Sequence, residues 1–211
     1  MKKLIVVGNG LFSRLQGHLI DRFDTVVRLS SAKVEGFEAL VGSKKDILSV
    51  ARIEDCSGYD NVWAGNPFGM GSIPKRALLE SYPNGFVIND SINKCYEYGD
   101  FKDGTHPTLG LLTIFMAVEY GKAFYQLPIT ITGFDFSHTD CARYYWDNTP
   151  NVDALGLGGI YKKHHDRDKE RGIVKKMIDE GLVQYLHPAD IIFLENAIGA
   201  YKIDFRVKGE N

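Results

Sequence analysis

The 211-residue sequence predicts an α/β fold: one Rossmann-like domain, residues 1–211, with a mostly parallel sheet and helices on both faces. Three observations predict it. Short β-branched runs alternate with helical stretches along the chain. Such short apolar runs separated by helical segments suggest strands of a mostly parallel sheet covered on both faces. The first run, KLIVVG (2–8), leads into the turn Asn9–Gly10 and a helix-like segment reaching about Asp21.

Further strands are expected at DTVVRLS (24–30), DILSV (46–50), NVWAG (61–65), GFVIND (85–90), PITITGFDF (128–136) and LVQYL (182–186). The clearest helix is THPTLGLLTIFMAVEYG (105–121), with Thr105 as N-cap, Pro107 in the first turn and Gly121 as terminator. Its middle is apolar nearly all round, which predicts a buried helix. A second, charge-rich helix runs from about Asp166 to Glu180 and closes at Gly181. Between the two helices, residues 137–163 show no sustained period and read as an irregular lid. The tail 201–211 alternates charged and apolar residues and is a candidate for peripheral membrane contact.

Composition narrows the function classes. Hydrophobic content of 44% and charged content of 25% fit a soluble globular protein, and a net charge of −2 speaks against nucleic-acid binding. The three cysteines, Cys56, Cys95 and Cys141, form no CxxC pair and are odd in number, which points to a reducing, cytoplasmic compartment. No apolar run reaches membrane-spanning length.

Four stretches carry candidate chemistry. VVGNG (6–10) is a tight turn after a buried strand, suited to close approach of a nucleotide or to plain packing; Ser13 stands where a dinucleotide fingerprint needs its third glycine. Arg28 and Ser30 end the second strand, where open α/β sheets bind ligands. GFEALVGSKKD (36–46) follows, a loop with a permissive glycine at each end or a capped turn with a solvated charge cluster. RYYWDN (143–148) sets three aromatics beside an arginine, good donors to a phosphate or anchors for a loop. HHDRDKE (164–170) is a poor metal site, since its adjacent histidines lack HExxH-type spacing. Asp166-Arg167-Asp168 spells D-x-D, but Asp166, Asp168 and Glu170 also suit the positive end of a helix dipole. The histidines ahead of them are left for proton transfer.

Together these stretches resemble the sialyltransferases. IVVGNGLFSRLQGHLIDRFDTVVRLSSAKVEGFEALVGSKKDIL (5–48) resembles the large sialyl motif of the animal-type family, and HPTLGLLTIFMAVEYGKAFYQLPITITGFDF (106–136) the small one. RYYWDN is similar to the third motif, and His165 with Glu170 to the last, His-x-x-x-x-Glu. The bacterial lipooligosaccharide sialyltransferases are similar too, and with the cysteine pattern they suggest a bacterial member of lipooligosaccharide or capsule synthesis. The chain departs from the family at Ser30 (usually Asn), at Pro107-Thr108-Leu109-Gly110 (usually Pro-Ser-Thr-Gly), and at Arg143 (usually His). Val6 and Leu109 lie near where secreted relatives carry bridging cysteines.

The resemblance implies a GT-A-like sialyltransferase fold and an inverting, metal-independent transfer of sialic acid from a CMP-sugar donor to a hydroxyl of a glycan or glycolipid. No cofactor or metal is implied. Gly8, Asn9, Gly10, Ser30, Thr108, Gly110 and Gly133 would bind the donor. Arg143, Tyr144 and Tyr145 would stabilise the leaving phosphate, and His165 would be the general base. Two other readings stay open: transfer of another CMP-linked acid such as Kdo, and non-catalytic nucleotide or glycan binding on the same fold.

Overall fold

A computed structural model describes residues 2–10, 12–51, 55–64, 80, 86–87, 89–101, 105–136, 142–150 and 165–195. Its centre is a seven-stranded sheet in the order β5-β4-β3-β2-β1-β6-β9, parallel at every pairing. The strands are β1 (Leu4–Val7), β2 (Thr25–Leu29), β3 (Ile47–Val50), β4 (Asn61–Ala64), β5 (Phe86–Val87), β6 (Ile129–Thr132) and β9 (Val183–Tyr185). Each expected strand is present in shortened form. β1, β3 and β6 are buried at every residue, which is why their sequences read as unbroken apolar or Thr-containing runs.

Side-chain alternation along β1 splits the core. Leu4 and Val6 pack with α4 (Leu109–Phe124) and α5 (Arg167–Asp179), while Ile5 and Val7 join Phe12, Ile20, Val26 and Val41 on the other face. That second face carries the short helices α1 (Gly17–Ile20) and α2 (Glu38–Val41). Helices therefore lie on both faces, as the sequence predicts, although α1 is far shorter than the helix expected between residues 10 and 21.

α4 is buried at every position from Leu111 to Val118, with no polar face. It differs from expectation at both ends. Thr108, not Thr105, is the N-cap, its hydroxyl accepting from the Leu111 N–H. Gly121 lies inside the helix, where it admits the Ile129 side chain; a Cβ there would stand 2.7 Å from Ile129 Cδ1. α5 matches its prediction: Asp166 is the N-cap and Gly181, at φ +70°, follows the last turn. Several elements were not expected from sequence, among them a helix and a hairpin. α3 (Asn89–Gly99) begins where GFVIND was read as strand, and β7 (Ala142–Tyr144) pairs antiparallel with β8 (Asp147–Pro150) inside the stretch read as irregular. The rest of 137–163, Cys141 and the tail 201–211 lie outside the described residues. The chain ends its described part with a 3-10 turn (Pro188–Ile191) and α6 (Ile192–Glu195). Among the described residues no helix is long and apolar enough to cross a membrane.

Candidate active site

The strand order reverses between β1 and β6, and the crevice beyond the carboxyl ends of those strands is where such sheets bind ligands. Two glycine stretches build its floor. The Gly8 N–H donates to Thr132 O at 2.8 Å, and the Gly10 N–H to Gly133 O at 2.9 Å. A Cβ on Gly8 would lie 2.2 Å from Gly133 O, and one on Gly133 would lie 2.6 Å from the Phe12 ring. Gly133 also holds φ at +70°, so no other residue fits there without strain. The Gly8 and Gly10 N–H groups are spent on the end of β6 and the residue after it, so these two glycines serve close packing of the chain and do not offer donors to a phosphate.

Asn9 sits between them. Its side-chain amide donates to Ser30 O at 2.8 Å, and its own carbonyl accepts from the Tyr145 N–H at 3.2 Å. Ser30 thus meets this loop through its backbone. Arg28, beside it, is buried: Nε donates to Lys44 O and Nη2 to Gly42 O, while Nη1 finds no hydrogen-bond partner among the described residues. Asp21 accepts from the Ser43 and Lys44 N–H groups; burial raises its pKa, but those hydrogen bonds outweigh it and carry the group below its ordinary value. Arg28 is therefore a brace for the 42–44 turn, the capped-turn reading of that stretch, and Gly36 and Gly42 bracket the loop at φ +79° and +73°.

The Asp135 carboxylate crosses the crevice close to Gly10, 2.8 Å from where a Cβ would stand. Behind it the buried Tyr185 hydroxyl donates to Phe134 O at 3.0 Å. Asp190, buried in the 3-10 turn, accepts from Ser13 Oγ at 2.6 Å and draws Arg14 to 3.6 Å. Sequence reasoning missed Asp135 and Asp190. An acid directly after the Gly133-Phe134 pair that follows β6 was the available signal for the first; the second is brought in over 177 residues.

The hairpin tip reaches this loop from above. Tyr145 packs edge-on against Phe12 and Phe37, each at 5.4 Å, and its hydroxyl donates to the Lys33 carbonyl. Burial pushes the phenol well above its ordinary value. Arg143 and Tyr144 lie on β7, immediately before this two-residue turn.

A second corner joins the remaining residues. Glu170, buried on α5, accepts from the Thr108 N–H at 2.5 Å and from the Thr108 hydroxyl at 2.9 Å. Burial raises its pKa; the Arg167 guanidinium at 4.0 Å and the two bonds from Thr108 oppose that. His165 Nδ1 lies 2.9 Å from His106 O. A carbonyl only accepts, so Nδ1 carries the hydrogen and the basic lone pair falls on Nε2. Gly110, in the first turn of α4, faces Phe134; a Cβ there would lie 3.1 Å from that ring. Asp166 caps α5 by accepting from the Lys169 N–H, and Asp168 pairs with Arg171 at 2.6 Å. The D-x-D carboxylates are thus a cap and a surface ion pair. Among the described residues no three His, Cys, Asp or Glu side chains converge to hold a metal ion.

Residues 1–53 match the model of glycosyltransferase family 29 (sialyltransferase). Lactosylceramide alpha-2,3-sialyltransferase of Rattus norvegicus is 24% identical over 226 residues, covering 88% of this chain and 56% of the relative. Its namesake in Mus musculus is 48% identical over 227 residues, covering 88% and 53%. The chain covers little more than half the length of these relatives. Among solved structures, a mammalian sialyltransferase in complex with Gal-beta-1-3GalNAc-ortho-nitrophenol superposes with TM-score 0.57 at 18% identity, covering 88% of this chain and 69% of that one. The sialyltransferase CstII from Campylobacter jejuni, in complex with the substrate analogue CMP-3FNeuAc, gives TM-score 0.56 at 14% identity, covering 89% and 82%. At these identities the structural likeness speaks for the fold.

Proposed function

We propose that this chain is a member of the sialyltransferase family and transfers an acidic sugar, sialic acid, from its CMP-linked form to a hydroxyl of a glycan or glycolipid; the match of residues 1–53 to that family's model supports the reading. The observation that carries the reading is the His165 hydrogen bond to a backbone carbonyl, which sets the tautomer a general base needs. Nε2 takes the proton of the acceptor hydroxyl as that oxygen attacks the anomeric carbon. The bond from that carbon to the phosphate oxygen breaks on the opposite face, and CMP leaves with the electron pair, inverting the centre. A monophosphate leaving group carries less charge than a diphosphate, so protein donors suffice without a metal.

The crevice floored by Gly8, Asn9, Gly10 and Gly133 receives the nucleotide, with Ser30 at its edge. Gly110, in the first turn of α4, turns toward the phosphate or ribose, while Thr108, whose N–H and hydroxyl are both taken by Glu170, holds that helix start in place. Asp135 is placed to accept from the ribose hydroxyls. Arg143 and Tyr144 stabilise the departing phosphate. Tyr145, whose hydroxyl already serves Lys33, acts chiefly by seating the hairpin on the donor loop. The bacterial, cytoplasmic setting and contact of the 201–211 tail with the membrane belong to the same reading.

The test is a donor panel: CMP-sialic acid, CMP-Kdo and UDP-galactose with a galactose-terminated glycan, with and without EDTA, read by product mass. A sialylated product unaffected by EDTA is expected. Transfer from CMP-Kdo alone would change the sugar and keep the mechanism, and UDP-sugar transfer that needs metal would overturn both. Arg143 in the family's histidine position favours one rival, a binding protein without turnover; stabilisation by CMP with no product from any donor would establish it.

A further inference from the structure

We propose that Tyr96 is a positioning residue for His165, acting through His106; the inference rests on His165 being the base. The His106 ring is held from α3: its Nδ1 lies 2.5 Å from the Tyr96 hydroxyl, and the two rings meet edge-on at 5.9 Å. The His106 carbonyl is the group that fixes the His165 tautomer. One residue therefore receives a phenol on its side chain and delivers a carbonyl to the base.

The segment between has little freedom. His106 precedes Pro107, which keeps it out of the α region. Thr108, two residues on, is clamped by both oxygens of Glu170. Glu170 belongs to α5, the helix that His165 precedes, so the base and the peptide it leans on are tied from one side by α5 and from the other by α3. α3 is itself fixed to α5. Lys169 donates to Asp100 O at 2.5 Å and lies over the Phe101 ring at 4.9 Å, and that ring packs on Tyr96 at 5.7 Å. Burial, then the neighbouring Cys95, push the Tyr96 phenol above its ordinary value, so it keeps its hydrogen at neutral pH.

Without the hydroxyl the His106 ring loses its hydrogen bond to α3, its carbonyl is held less firmly, and the bias that places the His165 lone pair on Nε2 weakens. The β1/β6 crevice, which supplies the floor of the donor site, includes neither Tyr96 nor His106, and Thr108 keeps its own clamp on Glu170. The experiment is Tyr96→Phe in the full chain, which keeps the ring packing. Histidine-labelled protein is read by nitrogen NMR, with His165→Ala assigning the signal. The expected result is a smaller Nδ1–H population at His165 and a kcat lowered about tenfold, within the roughly hundredfold that a 1 Å misplacement costs. KM for the CMP-sugar and the stabilisation by CMP should stay as in the parent protein. His106→Asn, which places an amide oxygen near Nδ1 to accept from Tyr96, should retain more turnover than His106→Leu. An unchanged His165 tautomer in Tyr96→Phe overturns the proposal, as does a rate loss matched by loss of CMP binding. If the parent protein turns over no CMP-sugar, the transferase reading falls, and the tautomer comparison still decides whether Tyr96 governs His165.

Discussion

The two halves of the site are held by different physics. At the β1/β6 crevice the backbone does the holding: glycines bring two strand ends so close that a single methyl on Gly8 would collide with a carbonyl. At the α4/α5 corner side chains do it: Glu170 grips Thr108, and His165 leans on the His106 peptide. A steric contact of this kind tolerates no substitution but needs no proton. A side-chain clamp tolerates isosteres and answers to pH. Substitutions can therefore separate the two.

The largest effect is expected at the crevice. Gly8→Ala should cost on the order of 3 kcal/mol, because its Cβ meets backbone that cannot move aside without disturbing both strands. Urea unfolding measures this, and a cost below about 1 kcal/mol would mean the strand ends are loosely joined. Glu170→Ala should cost about 2 kcal/mol by leaving the Thr108 N–H without its acceptor at a half-buried site. The same unfolding series reads it, and a neutral result would dissolve the clamp. Tyr145→Phe should cost about 1 kcal/mol, the loss of one hydrogen bond to Lys33 O with the aromatic packing kept.

The smallest effect is the most diagnostic of the clamp. Burial holds the Glu170 pKa above the ordinary 4.5, with Arg167 and Thr108 opposing. Below 4.5 the carboxyl is protonated folded and unfolded, and the stabilisation is fully present; it is lost as pH rises through the folded value. Glutamine carries no such proton. The stability of the parent protein relative to Glu170→Gln should fall as pH rises from 4 toward 8, a range set by ordinary carboxyl titration. A flat difference would mean the charged form is fully compensated.

The same contrast explains what could be read from the sequence. The parallel strands were legible because burial on both faces writes them as apolar runs, and VVGNG and GFDF marked the crevice because tight turns need glycine. α5 was legible from its N-cap, acidic first turn and Gly181. The clamp was not, because Thr108 and Glu170 are 62 residues apart and each looks like an ordinary cap or first-turn acid. α3 was hidden because its start abuts the apolar β5, so GFVIND read as one strand. The β7–β8 hairpin was hidden because Tyr145-Trp146 lacks the Gly or Asn that usually marks a two-residue turn. The bracing of Arg28 was not legible, because its position at a strand end does not reveal that the Gly42 and Lys44 carbonyls fold back onto it.

The decisive comparison sets His165→Ala beside the parent protein in two assays: stabilisation by CMP and transfer from CMP-sialic acid. A base that never touches the nucleotide should leave the CMP shift unchanged while transfer falls by about 10²- to 10⁴-fold. Retained transfer, or loss of CMP binding in step with it, would contradict the assignment of His165 as the proton acceptor.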